Sequence, residues 1–189
     1  MRDPADQPLV DALRRGDSSA FDRVYVKYRP RIYGFLLRLS GRQHVAEDLF
    51  QETWLKLARH APRLAEDTDL PAWLFTVARN AWVSHRRWSA LDLSRLVALD
   101  EDSPLLGKAQ DAEARADASR GVARLERAIA SLPAASREVL LLVGVEGFEQ
   151  EQAAGMLGIT YAALRQRLAR ARAQLAEKLE MTEKKEVLA

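Results

Sequence analysis

Four arginines, Arg165, Arg167, Arg170 and Arg172, fall within eight residues near the C-terminus. Guanidinium groups this dense suit a polyanion, since each can hold a phosphate or take the two acceptors on a guanine edge. On a helix, Arg165 and Arg172 lie about 20° apart and Arg167 and Arg170 about 60° apart. They flank an apolar stripe of Leu164, Leu168, Ala171, Leu175 and Leu179. A second constellation joins Trp73, Trp82 and Trp88 to Asn80, His85, Arg86 and Arg87. Flat aromatic faces among cations are what single-stranded DNA requires, bases on the rings and phosphates on the charges. Trp73 and Trp82 fit a core equally well. A third constellation is acidic. Asp48, Gln51, Glu52 and Leu55 share one helical face, opposite Ala46, Phe50, Thr53, Trp54 and Leu57. The polar face with one apolar member suits either a docked partner or plain solvent.

Other chemistries are poorly supplied. The 189 residues hold no cysteine and three histidines, His44, His60 and His85. Disulfides, thiolate metal sites and cysteine nucleophiles are therefore absent. His44, Glu47 and Asp48 have helical spacing, but one histidine makes a weak metal site. No metal, cofactor, small-molecule substrate or catalytic residue is expected. There is no run of eighteen apolar residues, and acids stand in the first six positions where a signal peptide would be apolar. The expectation is a cytoplasmic chain with no membrane insertion.

The positioning elements read as helices throughout, because apolar residues recur at helical spacing and no stretch alternates. With 48% apolar and 30% charged residues the chain can fold into one domain or two small ones. The net charge of +2 divides unevenly: +4 over residues 1–91, −4 over 92–119 and +2 over 120–189. The first block predicts helices over Pro8–Arg15, Ser18–Leu39, Val45–Ala61 and Pro71–Trp88. Asp17 or Ser18 caps the second, Asp69 the fourth, and Pro30 either kinks the second helix or restarts it. Residues 92–119 read as an acidic linker with room for a short helix at its end. The last block predicts Val122–Ser131, Ala134–Val145, Phe148–Leu157 and Tyr161–Glu180, with Met181–Ala189 a frayed tail. The expected fold is all-α, two small helical domains joined by the acidic linker.

The last pair forms a helix-turn-helix. Phe148, Ala154 and Leu157 point inward, Gly158 ends the helix in the left-handed conformation, Ile159 fills the corner and Thr160 caps the next helix. That motif serves many regulators, so the rest of the chain must discriminate. Its order is Ala46–Leu55 (Ala-Glu-Asp-Leu-x-Gln-Glu-Thr-x-Leu), then Pro71–Asn80 (Pro-Ala-Trp-Leu-x-x-x-Ala-Arg-Asn), then Leu132–Leu142 (Leu-Pro-x-x-x-Arg-Glu-Val-Leu-Leu-Leu), then Gly147–Arg172. This series resembles the bacterial RNA polymerase sigma factors of the extracytoplasmic-function (ECF) group over most of the chain.

The resemblance implies binding to core RNA polymerase, promoter recognition, DNA melting and transcription initiation. It implies docking on the β′ clamp through Asp48, Gln51 and Glu52, with Leu49 and Leu55 beside them. It implies capture of the single-stranded minus-ten element by the Arg63–Leu70 loop and the following helix, through Arg63, Trp73, Asn80, His85, Arg86 and Arg87. It implies reading of the duplex minus-thirty-five element by Thr160, Tyr161, Arg165, Gln166, Arg167, Arg170 and Arg172, a contact to the β flap, and an anti-sigma partner. Two departures stand out. Ala162-Ala163-Leu164 replaces the family's usual Gly-Thr-Val, which removes a hydroxyl. Gly155 lies mid-helix, where it costs about 1 kcal/mol against alanine. The alternative, a stand-alone helix-turn-helix regulator acting as a dimer, needs an apolar self-complementary surface, and the first block's outer face is mostly polar.

Overall fold

A computed structural model describes residues 6–93 and 113–187, with side chains over 6–91 and 121–181. Among the described residues every regular element is helical. The chain divides into two compact units, Met1–Asp102 and Ser103–Ala189.

The first unit holds α1 (Gln7–Arg14), α2 (Ser18–Ser40), α3 (Gln43–His60) and α4 (Leu70–Leu93), with a 3-10 turn at Ala61–Arg63. Asp17 is the cap of α2: its carboxylate accepts the Ser19 backbone N–H at 2.8 Å. Pro30 lies inside α2 without ending it. Pro30 and Val26 are both exposed, so the Val26 carbonyl that proline cannot bond faces water, which limits the cost. Gly41 closes the helix at φ 69°, its N–H donating to the Leu37 carbonyl at 2.9 Å. Ile32, Phe35 and Leu36 of α2 meet Ala46, Leu57, Leu74, Phe75 and Ala78 in a closed core. The Phe35 and Phe75 rings pack edge to face, 5.1 Å between centroids. Asp6 ties the start of the chain to α2. It is buried, accepts from Lys27 Nζ at 2.8 Å, and accepts the Tyr28 hydroxyl.

The second unit holds α5 (Glu113–Ala130), α6 (Ala134–Leu140), α7 (Gln150–Leu157) and α8 (Tyr161–Val187). The helix expected over Ala134–Val145 is present, but Leu141–Val145 widen into a π turn. The Glu146 and Phe148 N–H groups then close back on Leu141 and Leu142 carbonyls at 2.9 and 3.0 Å. Phe148 belongs to the following loop, not to α7, yet is buried as expected. Leu142, Val139, Ala153, Leu164 and Ala171 make the centre of this core.

Three helix ends run past their expected limits. The helix expected to stop at Trp88 continues to Leu93, and α5 begins at Glu113, inside the stretch read as linker. Helix-forming residues such as Ala90, Leu91, Glu113, Ala114 and Arg115 explain both extensions. The stretch expected as a frayed tail is helical through Val187, since it contains no glycine or proline. The centre of the acidic stretch, 94–112, lies outside the described residues.

Candidate polymerase and promoter interfaces

In α3 the expected core face is confirmed with one addition. Ala46, Thr53, Trp54 and Leu57 are buried, and the Thr53 hydroxyl is spent on the Leu49 carbonyl at 2.7 Å. Phe50 is half-buried, its ring against those of Tyr25, Tyr33 and Trp54. Leu49 is the correction. It is 3% exposed and belongs to the core, one helical turn before Thr53, so it cannot join a docking face. Asp48, Gln51 and Leu55 remain outward, and Leu55 is 55% exposed. Glu52 is half-buried and pairs with Lys56 at 2.6 Å across one turn. The surviving surface is acidic and amide-bearing, with one leucine standing out of it.

The loop before α4 is held by local bonds. The Asp69 carboxylate accepts the Ala72 N–H at 3.0 Å, its carbonyl accepts the Trp73 N–H at 2.9 Å, and Thr68 bonds the Ala65 carbonyl at 2.7 Å. Arg63 is exposed at the 3-10 turn. Asn80 and Arg87 are exposed and lie within about 20° of each other around the α4 axis, with half-buried Trp73 on the same side. The Asn80 side-chain carbonyl accepts from Arg79 at 3.2 Å. His85 and Arg86 are also exposed, but each lies more than about 100° around the helix from Asn80. His85 is 3.4 Å from the Ser89 hydroxyl, and Arg86 lies over the Trp82 ring at 5.0 Å. The tryptophans separate clearly. Trp82 is core, Trp73 leans on His60 with 6.3 Å between rings, and Trp88 is 69% exposed.

In the second unit the turn forms as expected. Gly158 has φ 65° and ψ 35°, and the Ile159 N–H reaches back to the Ala154 carbonyl at 3.1 Å. Thr160 caps α8, its hydroxyl accepting the Ala163 N–H at 3.2 Å. One acceptor site of the hydroxyl is thereby used by the helix, and its O–H keeps a proton to donate. Leu164, Leu168 and Ala171 turn inward, while Leu175 and Leu179 are half-buried. Tyr161, Arg165, Gln166, Arg170 and Arg172 are exposed and Arg167 is half-buried. Among the described residues no acid pairs with Arg167, Arg170 or Arg172. The outward stripe between the arginines is made of Ala162, Ala169 and Ala173, which lets the helix backbone approach a surface closely.

Residues 24–90 match the profile of Sigma-70 region 2, and residues 123–175 that of Sigma-70 region 4. The chain is 31% identical to the ECF RNA polymerase sigma factor EcfG of Rhodopseudomonas palustris, over 89% of this chain and 85% of the relative. It belongs to the ECF sigma factors of RNA polymerase. The ECF sigma factor SigE of Mycolicibacterium smegmatis is 32% identical, over 94% of this chain and 70% of that one. The sigma factor RpoE of Bartonella quintana, solved in complex with the anti-sigma factor NepR, superposes with a TM-score of 0.74 at 28% identity, over 85% of this chain and 96% of that one. The activity of an ECF sigma factor is to programme core RNA polymerase for promoter recognition, melting and initiation. Sigma factors are initiation factors, not enzymes by themselves. The region 2 match covers α3 and α4, and the region 4 match covers the helix-turn-helix. Among the described residues no helix is long and apolar enough to cross a membrane.

Proposed function

We propose that this sigma factor divides its work between the two units. Residues 1–91 form the polymerase-docking and minus-ten domain and 120–189 the minus-thirty-five domain, joined through 92–119, with α4 and α5 reaching into the two ends of that join. Asp48, Gln51, Glu52 and Leu55 form the docking surface for the polymerase β′ clamp. Arg63, Trp73, Asn80 and Arg87 line the surface that takes the unpaired minus-ten strand, with His85 and Arg86 at its margin on phosphates. Arg165, Gln166, Arg167, Arg170 and Arg172 read or clamp the minus-thirty-five duplex beside Tyr161. Thr160 acts there by fixing the start of α8.

The observation that carries this reading is the arginine-flanked outer face of α8, presented by a closed helix-turn-helix and free of acid partners among the described residues. No catalytic side chain is needed. Contacts to polymerase and upstream duplex hold the first unit at the promoter, and capture of an unpaired base shifts the duplex toward the open state. Unstacking costs a few kcal/mol per base, which stacking and phosphate contacts offset. The relative solved with NepR supports an anti-sigma partner for this chain, and the chain works in the cytoplasm, where polymerase is. Run-off transcription from genomic fragments with sigma-free core polymerase tests the proposal. Transcripts from discrete start sites are expected only when the chain is added.

A further inference from the structure

The loop ahead of α4 is gripped from outside its own sequence. Residues 65–68 form a tight turn, the Thr68 N–H donating to the Ala65 carbonyl at 3.1 Å. The carbonyl at the tip of such a turn, here that of Glu66, has no partner within the turn itself. The Gln7 side-chain amide, at the start of α1, donates to that carbonyl. Farther along α1, Arg14 Nη1 pairs with the Glu66 carboxylate at 3.0 Å. Gln7 and Arg14 lie about 20° apart around the helix, with Asp11 on the same side. The Asp11 carboxylate also accepts from the Gln7 amide, at 3.4 Å. An open cleft of about 480 Å³, lined by Asp11, Arg14, Arg15, Pro62 and Glu66, lies between helix and turn. Polar contacts, not close packing, therefore set where the tip of the turn stands. With eight residues, α1 is too short to persist alone. It is held by buried Val10, Ala12 and Leu13 and by the contacts of Asp6 to Lys27 and Tyr28. It precedes residues 24–90, the part of the chain that matches region 2.

We propose that α1 sets the shape of the base-capturing loop, with Gln7 and Arg14 as positioning residues that act through Glu66. The proposal rests on the minus-ten reading of that loop. Gln7 fixes the backbone of the turn. Arg14 fixes its acidic side chain and neutralises a charge that would repel incoming phosphates. The Arg14 and Glu66 side chains are 32% and 80% exposed, so the pair adds little to global stability. Its loss is felt in the loop and not in the fold.

The experiment compares holoenzymes carrying wild-type chain, Arg14→Ala, Arg14→Lys and Gln7→Ala, each alanine change also being made on a Glu66→Ala background. The probe is the single-stranded non-template segment across the minus-ten element of a promoter mapped by run-off transcription, with the upstream duplex as control. Arg14→Ala and Gln7→Ala should each weaken strand binding about five-fold, with Arg14→Lys within about two-fold of wild type. On the Glu66→Ala background Arg14→Ala should cost nothing further, whereas Gln7→Ala should, because its partner is the backbone. Duplex binding, competition for core polymerase and the melting temperature of the free chain should stay near wild type. Unchanged strand affinity for either alanine variant overturns the proposal. So does an equal Arg14→Ala loss on the Glu66→Ala background, which would put Arg14 on the DNA itself. A loss accompanied by a lower melting temperature or weaker polymerase binding would make α1 merely structural, and also overturns it. A wild-type holoenzyme that binds the strand no better than core enzyme alone removes the minus-ten reading, and this proposal with it.

Discussion

The Arg165 guanidinium lies over the Tyr161 ring, 5.9 Å from its centroid, at the exposed start of α8. One helical turn separates the two residues, so the aromatic face steadies the arginine before any DNA arrives. The arrangement favours a base edge as the target, since a preset planar fork loses little freedom on making two hydrogen bonds. Arg165→Ala should cost about 1–3 kcal/mol of promoter discrimination, concentrated at one base pair. Arg165→Lys should not restore it. Binding titrations of holoenzyme across single-base promoter variants check this. A loss uniform across sequences, with a smaller salt slope, would reassign Arg165 to a phosphate.

Leu49 and Leu55 sit six residues apart and have opposite fates, buried and exposed. That difference separates docking from folding. Asp48→Ala with Gln51→Ala should weaken competition for core polymerase against another sigma factor while leaving the melting curve near wild type. Leu49→Ala should instead lower stability by about 2–5 kcal/mol, as for other buried leucines. Unchanged competition by the double variant would reject the docking surface.

Much of this was legible beforehand, for stated reasons. The turn residues Gly158, Ile159 and Thr160 each have one dominant local use, and the stripe from Leu164 to Leu179 has one period. Both survive folding because local geometry alone determines them. Leu49 was misplaced because a helix buried from more than one side has a wider apolar arc than a two-face reading allows. The end of α4 was missed because helix-forming residues without breakers give no stop signal, while the early start of α5 falls where the linker had room for a short helix. The three tryptophans of α4 read alike in the sequence, since nothing in the spacing says that the helix outruns its bundle after Trp82 and leaves Trp88 exposed.

Gly155 faces open space, and a Cβ added there meets nothing within 4 Å. It lies in the middle of α7, where glycine carries only its entropic cost. Gly155→Ala should therefore stabilise the second unit by about 1 kcal/mol, raising its melting temperature by several degrees. Differential scanning calorimetry is the check. No gain, or a loss, would mean that the helix-turn-helix uses the freedom of this position.

Asp17 makes the start of α2 sensitive to acid. Hydrogen bonds from Ser19, the side-chain one first and the backbone N–H next, hold its carboxyl below the usual carboxylate value. A carboxyl depressed in the folded state stabilises above its unfolded value, and that contribution is lost as pH falls through the lower folded value. The stability gap between wild type and Asp17→Ala should be full near neutrality and shrink in strong acid. Asp17→Asn, which caps without titrating, should show a gap over alanine that varies less with pH. Thermal melts at several pH values read this directly, and a gap that widens in acid would contradict the sign.

The most direct test mixes the purified chain with sigma-free core polymerase on promoter fragments and follows strand opening with permanganate, beside the chain alone. The account predicts opened thymines and specific transcripts only with both components present. Tight, dimeric, sequence-specific duplex binding by the chain alone, with no opening or initiation when core enzyme is added, would contradict it.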